Sequence, residues 1–376
     1  MADERFSDRD RVLMRRALHL AVRGRGRVEP NPLVGCVLVR AGRVIGQGYH
    51  RRYGGPHAEV DALRRADADP RGAIAYVTLE PCSHHGKTPP CCDALIDAGI
   101  KRVVAAMTDP FPEVSGRGVR RLRRAGVRVD VGLLRSEAVR LNQPYLVRLT
   151  RRRVYVICKW AQSLDGKIAT RTGDSKWISG DVARRCVHRL RARMDAVMVG
   201  IGTVLGDDPM LTARQVRVRR VAARVVLDSA LRTPPDCRLV QTAGTVPTYV
   251  LTTHGALKER AGGGRRLESR GVRVVAVRGA GGCVSLRAAL SRMAAMGWTN
   301  VLVEGGGRLI GSCFDAGVVD EAHVYTAPLV IGGARAATGC AGRGVDTVAR
   351  AWCPVGVERR MLDDTQLTIV RFDHLS

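Results

Sequence analysis

The sequence contains few aromatic residues and few lysines, and it has no long apolar run. Aromatic side chains make up 4% of the 376 residues, and only six of the 62 basic residues are lysines. No apolar stretch approaches the roughly 20 residues that a transmembrane helix requires, which argues against a membrane-spanning protein. The charged start of the chain does not lead into the apolar segment of a signal peptide. We therefore expect a cytoplasmic protein with no membrane partner.

Acidic residues are scarce relative to basic ones, at 35 against 62, which gives a formal net charge of +27. A strong basic balance can indicate nucleic-acid binding, because cationic side chains neutralise phosphates. Here the arginines are scattered along the chain, and there are few aromatic side chains on which bases could stack. We expect no nucleic-acid partner and assign most arginines to solvated surfaces. A small anionic substrate is the better explanation for the rest.

The eleven cysteines occur at irregular spacings. An odd number without a regular pattern does not fit a disulfide framework, so we expect reduced thiols. Most of them lie in apolar stretches, as small core residues do. Cys82, Cys91 and Cys92 differ, because they follow a histidine and a glutamate in an order that suits a metal site.

The length and the apolar periodicity predict two α/β domains, residues 1–149 and 150–376. In the first domain, short strands alternate with helices, which favours a mostly parallel sheet. Its last helix is predicted over residues 136–141, followed by a connecting segment at 142–153 that contains Pro144. A second series of strands and helices begins after this segment.

The first candidate site combines His57 and Glu59 with Cys82 and Cys91. A catalytic zinc site needs three protein ligands and an open position for water, and imidazole with two thiolates suits zinc. Glu59 lies two residues after His57 at the start of a predicted helix, so it can move protons without ligating the metal. The order of these residues matches the signature of zinc-dependent nucleobase deaminases.

The third ligand is open on spacing alone. That signature usually has its second cysteine three residues after the first, and His85 stands at this position. Either His85 is the ligand, or a longer loop returns Cys91 or Cys92. We favour Cys91, because it begins a predicted helix whose positive end stabilises a thiolate. Cys92 is then either a core residue or a neighbour of the metal ligands.

The second candidate site is a glycine-rich turn at residues 304–311, which follows a predicted buried strand. Backbone amides at such a strand-to-helix turn can bind phosphate. The dinucleotide pattern G-x-G-x-x-G is not met, because Ile310 stands where its last glycine should be. The turn alone is therefore weak evidence for a nucleotide site.

Longer motifs resemble a known family across most of the chain, from Arg11 to about Val330. Residues 30–39, 57–63 and 78–92 are similar to the deaminase half of the bifunctional riboflavin-biosynthesis deaminase/reductase family. Residues 163–167, 175–179, 202–214 and 226–229 are similar to its reductase half. The resemblance implies an N-terminal three-layer cytidine-deaminase-like domain and a C-terminal dihydrofolate-reductase-like domain.

The resemblance also implies roles for individual residues. In the deaminase it implies His57, Cys82 and Cys91 as Zn²⁺ ligands and Glu59 as the catalytic proton shuttle. Implied substrate contacts there are Asn31, His50, Ser83, His84 and Lys87. In the reductase, the implied NADPH contacts are Ala161, Trp177, Thr203, Asp207, Ser229, Gly306, Gly307, Arg308, Leu309, Ile310, Gly311 and Ser312. Implied substrate contacts in the reductase are Ser175, Arg191, Leu211, Arg214 and Glu304.

These residue types suit a phosphorylated aminopyrimidine. Asn31 offers both a donor and an acceptor to a pyrimidine edge, and Lys87 can meet a phosphate as a point charge. Arg191 and Arg214 can pair with a ribose 5-phosphate in bidentate fashion. Lys159 or Glu304 could assist proton movement at the ribose. Phe111 departs from the family, which usually has asparagine there, and this puts a polar substrate contact from that loop in doubt.

The implied function is a two-step enzyme of riboflavin biosynthesis. Zinc-dependent hydrolysis would deaminate 2,5-diamino-6-(5-phosphoribosylamino)pyrimidin-4-one, and NADPH would then reduce the ribosyl chain to give 5-amino-6-(5-phosphoribitylamino)uracil. The sequence is compatible with a homo-oligomer but does not define one.

Two other functions fit part of the sequence. A polynucleotide-editing deaminase would account for the charge but would leave the reductase motifs unused. A ligand sensor on a decayed enzyme scaffold would be expected to have lost catalytic residues that are present here.

Overall fold

A computed structural model of the chain describes residues 5–84 and 89–372. Its internal contacts separate two compact units, Met1–Arg151 and Arg152–Ser376. Each unit is built of helices packed on a mixed sheet, so the α/β class predicted from the sequence is confirmed. Within the described residues, no helix combines the length and the apolar character needed to cross a membrane.

The first unit has a five-stranded sheet with the strand order β2-β1-β3-β4-β5. β1 runs antiparallel to β2 and β3, whereas β3, β4 and β5 are parallel. The strands are β1 (Gly35–Arg40), β2 (Arg43–Tyr49), β3 (Ile74–Val77), β4 (Arg102–Ala105) and β5 (Arg128–Val131). The helices are α1 (Asp8–Val22), α2 (Ala58–Arg64), α3 (Cys91–Asp97), α4 (Arg117–Arg124) and α5 (Arg135–Arg151).

The helices of this unit lie on both faces of the sheet. α1 packs over β1 at Gly35, where a Cβ atom would come within 2.0 Å of the Ala17 carbonyl oxygen. The next residue, Cys36, points to the opposite face and packs with Ala58 and Leu95, which belong to α2 and α3. The unit therefore has three layers, with helices above and below the sheet.

Two glycines of β2 allow α2 to approach the sheet closely. A Cβ atom at Gly48 would lie 2.4 Å from the Ala62 nitrogen and 2.6 Å from the Ala58 oxygen, both in the backbone of α2. At Gly46 it would lie 2.6 Å from the Ala62 oxygen. Since a side chain at either position would push the helix away from the sheet, these glycines determine how closely α2 packs against β2.

α5 is much longer than the sequence predicted. It continues through Pro144 to Arg151, where a helix ending at residue 141 and a connecting segment were expected. Proline removes one helical hydrogen bond, at a cost of about 3 kcal/mol. Tertiary contacts offset this cost, because Leu146 and Val147 are buried and Asn142 bonds to both backbone groups of Leu33.

The second unit has a nine-stranded sheet with the strand order β10-β9-β8-β7-β13-β6-β14-β16-β15. The neighbours from β10 to β14 are parallel, and the last three strands are antiparallel. Its strands are β6 (Tyr155–Gln162), β7 (Ala196–Gly200), β8 (Ala223–Leu227), β9 (Thr248–Thr253), β10 (Arg273–Val277), β13 (Asn300–Glu304), β14 (Glu321–Thr326), β15 (Gly356–Leu362) and β16 (Thr365–Arg371). A separate hairpin is formed by β11 (Gly279–Ala280) and β12 (Cys283–Val284).

Seven α-helices accompany this sheet in the part of the unit that the structure describes. They are α6 (Asp181–Arg191), α7 (Ile201–Asp207), α8 (Arg238–Gln241), α9 (His254–Glu259), α10 (Ala261–Glu268), α11 (Leu286–Ala295) and α12 (Gly307–Asp315). A short 3-10 helix covers Val348–Arg350. The main core contains Met198 and Val303 from the sheet, Met293 from α11 and Ile310 from α12. The parallel strands end at one edge of the sheet, where parallel α/β sheets commonly bind ligands.

Candidate active sites

Three potential metal ligands meet in the first unit. His57 immediately precedes α2, Cys82 follows the β3 segment, and Cys91 is the first residue of α3. The His57 Nδ1 atom lies 3.1 Å from Cys91 Sγ and 3.5 Å from Cys82 Sγ. All three ligand atoms lie within 4.8 Å of one another. The start of α2, the segment after β3, and α3 thus bring together one imidazole and two thiols from separate parts of the sequence.

The electrostatics of the two thiols suit a cation. A hydrogen bond from the Cys91 thiol lowers the pKa of Cys82 to about 4, against the effect of burial. The Cys91 backbone amide, at the start of α3, also donates to Cys82 Sγ at 3.4 Å. The same thiol pair, together with burial, raises the pKa of Cys91 well above its ordinary value. The site stabilises one thiolate by itself, and a second needs a positive ion, so this donor set fits zinc.

Cys92 points away from this cluster. Its Sγ donates to the carbonyl oxygens of Pro81 at 3.3 Å and Gly118 at 3.6 Å, and the side chain is buried in the core of the unit. The structure therefore brings Cys91, and not Cys92, to His57 and Cys82. The alternative ligand His85 lies outside the described residues.

Glu59 lies in the first turn of α2, beside the three potential ligands. Its side chain is 3% exposed, and its Oε2 atom makes no hydrogen bond within the described part of the chain. Burial raises the pKa of Glu59 to about 7, although His57 nearby opposes the shift. An unpartnered carboxylate oxygen with such a pKa can both accept and donate a proton near neutrality.

A cavity of about 320 Å³ opens onto His57, Glu59 and Cys82. Of the expected substrate contacts, Asn31, His50 and His84 line it. Ser83 does not line this cavity, and Lys87 lies outside the described residues. The Nδ1 atom of His84 is buried and makes no hydrogen bond to any described residue, so it is available to a ligand.

Asn31 and His50 form a fixed pair on the cavity wall. His50 Nδ1 lies 3.0 Å from the Pro56 carbonyl oxygen, which can only accept, so this nitrogen carries the proton. Burial lowers the pKa of His50, which keeps the ring neutral. Its Nε2 atom then accepts from Asn31 Nδ2 at 3.2 Å. The Asn31 carbonyl oxygen remains as an acceptor for an amino group of a ligand.

Further residues line this cavity that sequence analysis did not assign to it. Tyr145, Arg148 and Leu149 come from the extended half of α5. Phe111 packs against His84 with ring centroids 6.0 Å apart, so it forms an aromatic part of the cavity wall. The spacing of residues 142, 145, 148 and 149 could have indicated one helical face, but Pro144 concealed it.

The carboxylate of Glu80 holds the loop that carries Phe111. Its two oxygen atoms accept hydrogen bonds from the backbone amides of Asp109, Gly116 and Val119 at 3.0 to 3.2 Å. Glu80 follows β3 and precedes the cysteine ligand by two residues, so the loop is fixed beside the metal ligands. No motif in the sequence indicated this role of Glu80.

The second unit contains a larger cavity, of about 1,370 Å³, at the carboxyl ends of its parallel strands. Most of the residues predicted to contact NADPH line it. They are Ala161, Trp177, Thr203, Asp207, Ser229, Gly306, Gly307, Arg308, Leu309 and Ser312. Four of the predicted substrate contacts, Ser175, Arg191, Arg214 and Glu304, also line it.

Three predicted contacts are not at this cavity. Ile310 is fully buried in the main core, on the face of α12 that packs against the sheet. Gly311 lies under the segment at Ala341, whose carbonyl oxygen would be 1.2 Å from a Cβ atom there. Leu211 is 4% exposed and does not line the cavity. The structure therefore does not place these three predicted contacts in the lining of the cavity. The side of α12 that carries Ile310 and Gly311 faces the core and the segment at Ala341, whereas Leu211 lies outside that helix and is buried.

The start of α12 is open to an anion. Gly306 precedes the nine-residue helix and provides no side-chain cap, so the first amides have no side-chain acceptor from that position. Gly305 adopts φ +141°, and a Cβ atom there would lie 2.8 Å from Thr203 Oγ1. Thr203 Oγ1 accepts from the Gly306 amide at 3.2 Å, which fixes the turn. Glycine is required at residue 305 both for its conformation and for space.

Arg191 forms a bidentate ion pair with Glu304, although it was expected to pair with the substrate phosphate. Its Nε and Nη2 atoms donate to the two Glu304 oxygens at 2.6 and 2.7 Å, and Nη1 donates to the Thr212 carbonyl. The bidentate edge that was expected to meet a phosphate is therefore used inside the protein. Burial lowers the pKa of the neighbouring Lys159, while Glu304 opposes that shift.

The fold and the sites together define a class of protein. Residues 7–107 match the family model "Cytidine and deoxycytidylate deaminase zinc-binding region", and residues 154–363 match the model "RibD C-terminal domain". A zinc-type deaminase domain is thus joined to a reductase domain in one chain, which confirms the predicted fold class and both enzyme classes.

Individual relatives narrow this class to one family. Riboflavin biosynthesis protein RibD of Actinobacillus pleuropneumoniae is 44% identical over 338 residues, which cover 90% of this chain and 89% of the relative. RibD of Escherichia coli is also 44% identical, over 86% of this chain and 89% of the relative. A solved structure of Acinetobacter baumannii RibD has a TM-score of 0.85 at 34% identity, with 97% of this chain and 99% of that chain covered.

A Thermotoga maritima structure, described as a diaminohydroxyphosphoribosylaminopyrimidine deaminase/5-amino-6-(5-phosphoribosylamino)uracil reductase, has a TM-score of 0.81 at 34% identity. It covers 97% of this chain and 99% of its own. The chain belongs to the RibD family of bifunctional deaminase/reductase proteins of riboflavin biosynthesis.

Proposed function

We propose that the first unit hydrolyses 2,5-diamino-6-(5-phosphoribosylamino)pyrimidin-4-one, replacing the 2-amino group with oxygen and releasing ammonia. The observation that carries this proposal is the buried Glu59 Oε2 atom, which has no hydrogen-bond partner among the described residues and lies beside His57, Cys82 and Cys91. Zinc held by these three residues would make a water molecule acidic enough to ionise near neutral pH.

Glu59 moves the protons of this reaction. Its carboxylate accepts a proton from the attacking water and donates one to the departing nitrogen, so that the leaving group is ammonia. The Asn31 carbonyl oxygen, held in place by the bond to His50, accepts from an amino group of the pyrimidine. Phe111 and His84, which pack against each other on the cavity wall, would contact the pyrimidine ring.

The second unit then reduces the ribosyl chain of the product, with NADPH as the hydride donor, to give 5-amino-6-(5-phosphoribitylamino)uracil. The uncapped amides at the start of α12 would hold the cofactor pyrophosphate. Trp177, which is 68% exposed at the cavity, would pack against a cofactor ring. The protein mainly positions the reacting carbon for hydride transfer.

Arg214 is our remaining arginine candidate for the substrate phosphate in this cavity, since Arg191 is paired with Glu304. Arg191 and Glu304 would instead present a fixed carboxylate beside Lys159. This pair could position a ribose hydroxyl for proton transfer while the hydride is added.

Product masses test the two steps. Purified protein with the aminopyrimidine ribotide should yield a product about one mass unit heavier, and addition of NADPH should add about two more. A product reduced without deamination, or no change at all, would contradict the proposed order.

The Glu59→Gln variant tests the assigned proton shuttle. It should retain zinc and lose ammonia release by at least about a hundredfold, within the range that general acid–base catalysis contributes. NADPH consumption should persist when the deaminated ribotide is supplied, because that reaction belongs to the second unit. Undiminished ammonia release would refute the role of Glu59.

We further propose that the enzyme acts in the cytoplasm on the free ribotide and not on nucleic acid. Each expected substrate is a single phosphorylated pyrimidine, and the first cavity has a volume of about 320 Å³. Oligonucleotide binding that weakens steeply with salt would contradict this proposal, because it would indicate that the arginines neutralise a polynucleotide backbone.

A further inference from the structure

One face of α5 is directed at the deaminase cavity. Asn142, Tyr145 and Arg148 follow one another at intervals of three residues, so they lie along the same side of the helix. Arg148 and the next residue, Leu149, both line the cavity. This part of α5 follows Pro144, in the segment that the sequence predicted to be a connection.

Two hydrogen-bonded contacts fix the orientation of this face. Asn142 accepts from the Leu33 amide at 2.7 Å and donates to the Leu33 carbonyl at 3.0 Å. The Tyr145 hydroxyl donates to Asp109 Oδ1 at 2.9 Å. Leu33 is two residues from Asn31, and Asp109 is two residues from Phe111. The helix is thus tied to both wall segments of the cavity, and Arg148 lies one turn beyond the second tie.

The charges around the cavity make Arg148 distinctive. Among the lining residues that the structure describes, it is the sole lysine or arginine. The half-buried guanidinium of Arg148 is therefore the positive side chain that the described walls of this cavity present to an anionic ligand.

We propose that Arg148 binds the 5-phosphate of the ribotide in the deaminase site. The inference rests on the proposed function, which gives this site a phosphorylated substrate. A phosphate monoester carries nearly two negative charges at neutral pH, and a guanidinium fork can bind two of its oxygens at once. Arg148 would supply this contact from α5, in addition to the point charge expected from Lys87 on its own loop.

Ammonia release from two substrates tests the assignment. The ribotide and the corresponding dephosphorylated ribonucleoside would be compared with the wild-type chain and with Arg148→Ala, both loaded with zinc and without NADPH. With Arg148→Ala we expect KM for the ribotide to rise about tenfold to a hundredfold, as for the loss of a charge-assisted hydrogen bond, with kcat little changed. The kinetics with the ribonucleoside should stay at the wild-type values.

Two further variants make the test specific. Arg148→Lys keeps the charge but not the fork, so its KM for the ribotide should lie between those of the wild type and Arg148→Ala. Arg140→Ala removes an exposed arginine from the same helix and should leave both substrates unaffected. If Arg148→Ala does not fold, as judged by its zinc content, Arg148→Gln takes its place.

Three results would overturn the proposal. The first is an unchanged KM of Arg148→Ala for the ribotide. The second is an equal loss of its activity with the ribotide and with the ribonucleoside. The third is an Arg148→Ala variant that is inactive on the ribonucleoside while Arg148→Lys is fully active. Failure of the wild-type chain to release ammonia from the ribotide would instead refute the proposed function, and the inference would fall with it.

Discussion

Gly48→Ala tests how closely the start of α2 must approach β2 for the deaminase to work. The backbone at residue 48 suits alanine, because its φ is not in the left-handed region, so the effect of the change is one of space. The new Cβ would lie 2.4 Å from the Ala62 nitrogen, where an ordinary contact begins at 3.4 Å. Relief requires α2 to withdraw by about 1 Å, because the obstructing atoms are helix backbone and not a flexible side chain.

The cost should appear in both stability and rate. Overpacking of this kind lowers the free energy of unfolding by about 1–3 kcal/mol. α2 carries Glu59 in its first turn and His57 just before it. A displacement of about 1 Å at a catalytic group can cost about a hundredfold in rate, so we expect a loss of that order in kcat for ammonia release.

The assays separate the two units. Ammonia release reports on the first unit, NADPH consumption with deaminated ribotide reports on the second, and chemical denaturation gives the stability. Gly255→Ala on α9 is the matched control, because a Cβ atom there meets nothing within 4 Å. The control should be neutral or more stable by up to about 1 kcal/mol, from helix propensity alone.

The reasoning fails if Gly48→Ala deaminates at the wild-type rate with unchanged stability. In that case the close approach of α2 to β2 would not determine the position of Glu59. An equal decline in the reductase reaction would also contradict it, since Gly48 belongs to the first unit.

The remaining predictions concern metal binding and a buried cation. Cys82→Ser should lower the zinc content, measured by metal analysis, from about one ion per chain to a small fraction. Cys92→Ser should retain the zinc, since the Cys92 thiol bonds to a backbone carbonyl. Equal losses of zinc in the two variants would contradict the proposed ligand set. Arg224→Met should destabilise the second unit by about 3 kcal/mol in chemical denaturation, because the fully buried guanidinium bonds to Thr248, Thr242 and backbone carbonyls. Arg266→Met, at an exposed position on α10, is its control and should be near neutral.

Residue order was enough to predict much of the first site. Metal ligands occur where strands and helices begin or end, and His57, Cys82 and Cys91 stand at such positions in a recognisable order. The choice of Cys91 over Cys92 also followed from the sequence, because Cys91 is the first residue of a predicted helix, whose positive end stabilises a thiolate. The structure separates the two thiols in that way.

Other features depend on tertiary contacts that local patterns do not contain. Pro144 predicts an interruption, but the bonds of Asn142 to Leu33, a partner 109 positions away in the chain, hold the helix together. Ile310 stands within a phosphate-binding motif, and only the packing of α12 shows that its side chain belongs to the core. The pairing of Arg191 with Glu304 likewise joins residues 113 positions apart.

The position of α5 limits how the two activities could be separated on different polypeptides. A cut at the apparent break near Pro144 would leave every potential zinc ligand in the N-terminal fragment. That fragment would lack Tyr145, Arg148 and Leu149, and with them one wall of its own cavity. Such a fragment could bind metal and still be a poor enzyme. A deaminase unit prepared alone should extend through Arg151. Its metal content would not show whether the cavity is complete, because a shorter fragment would keep the same ligands.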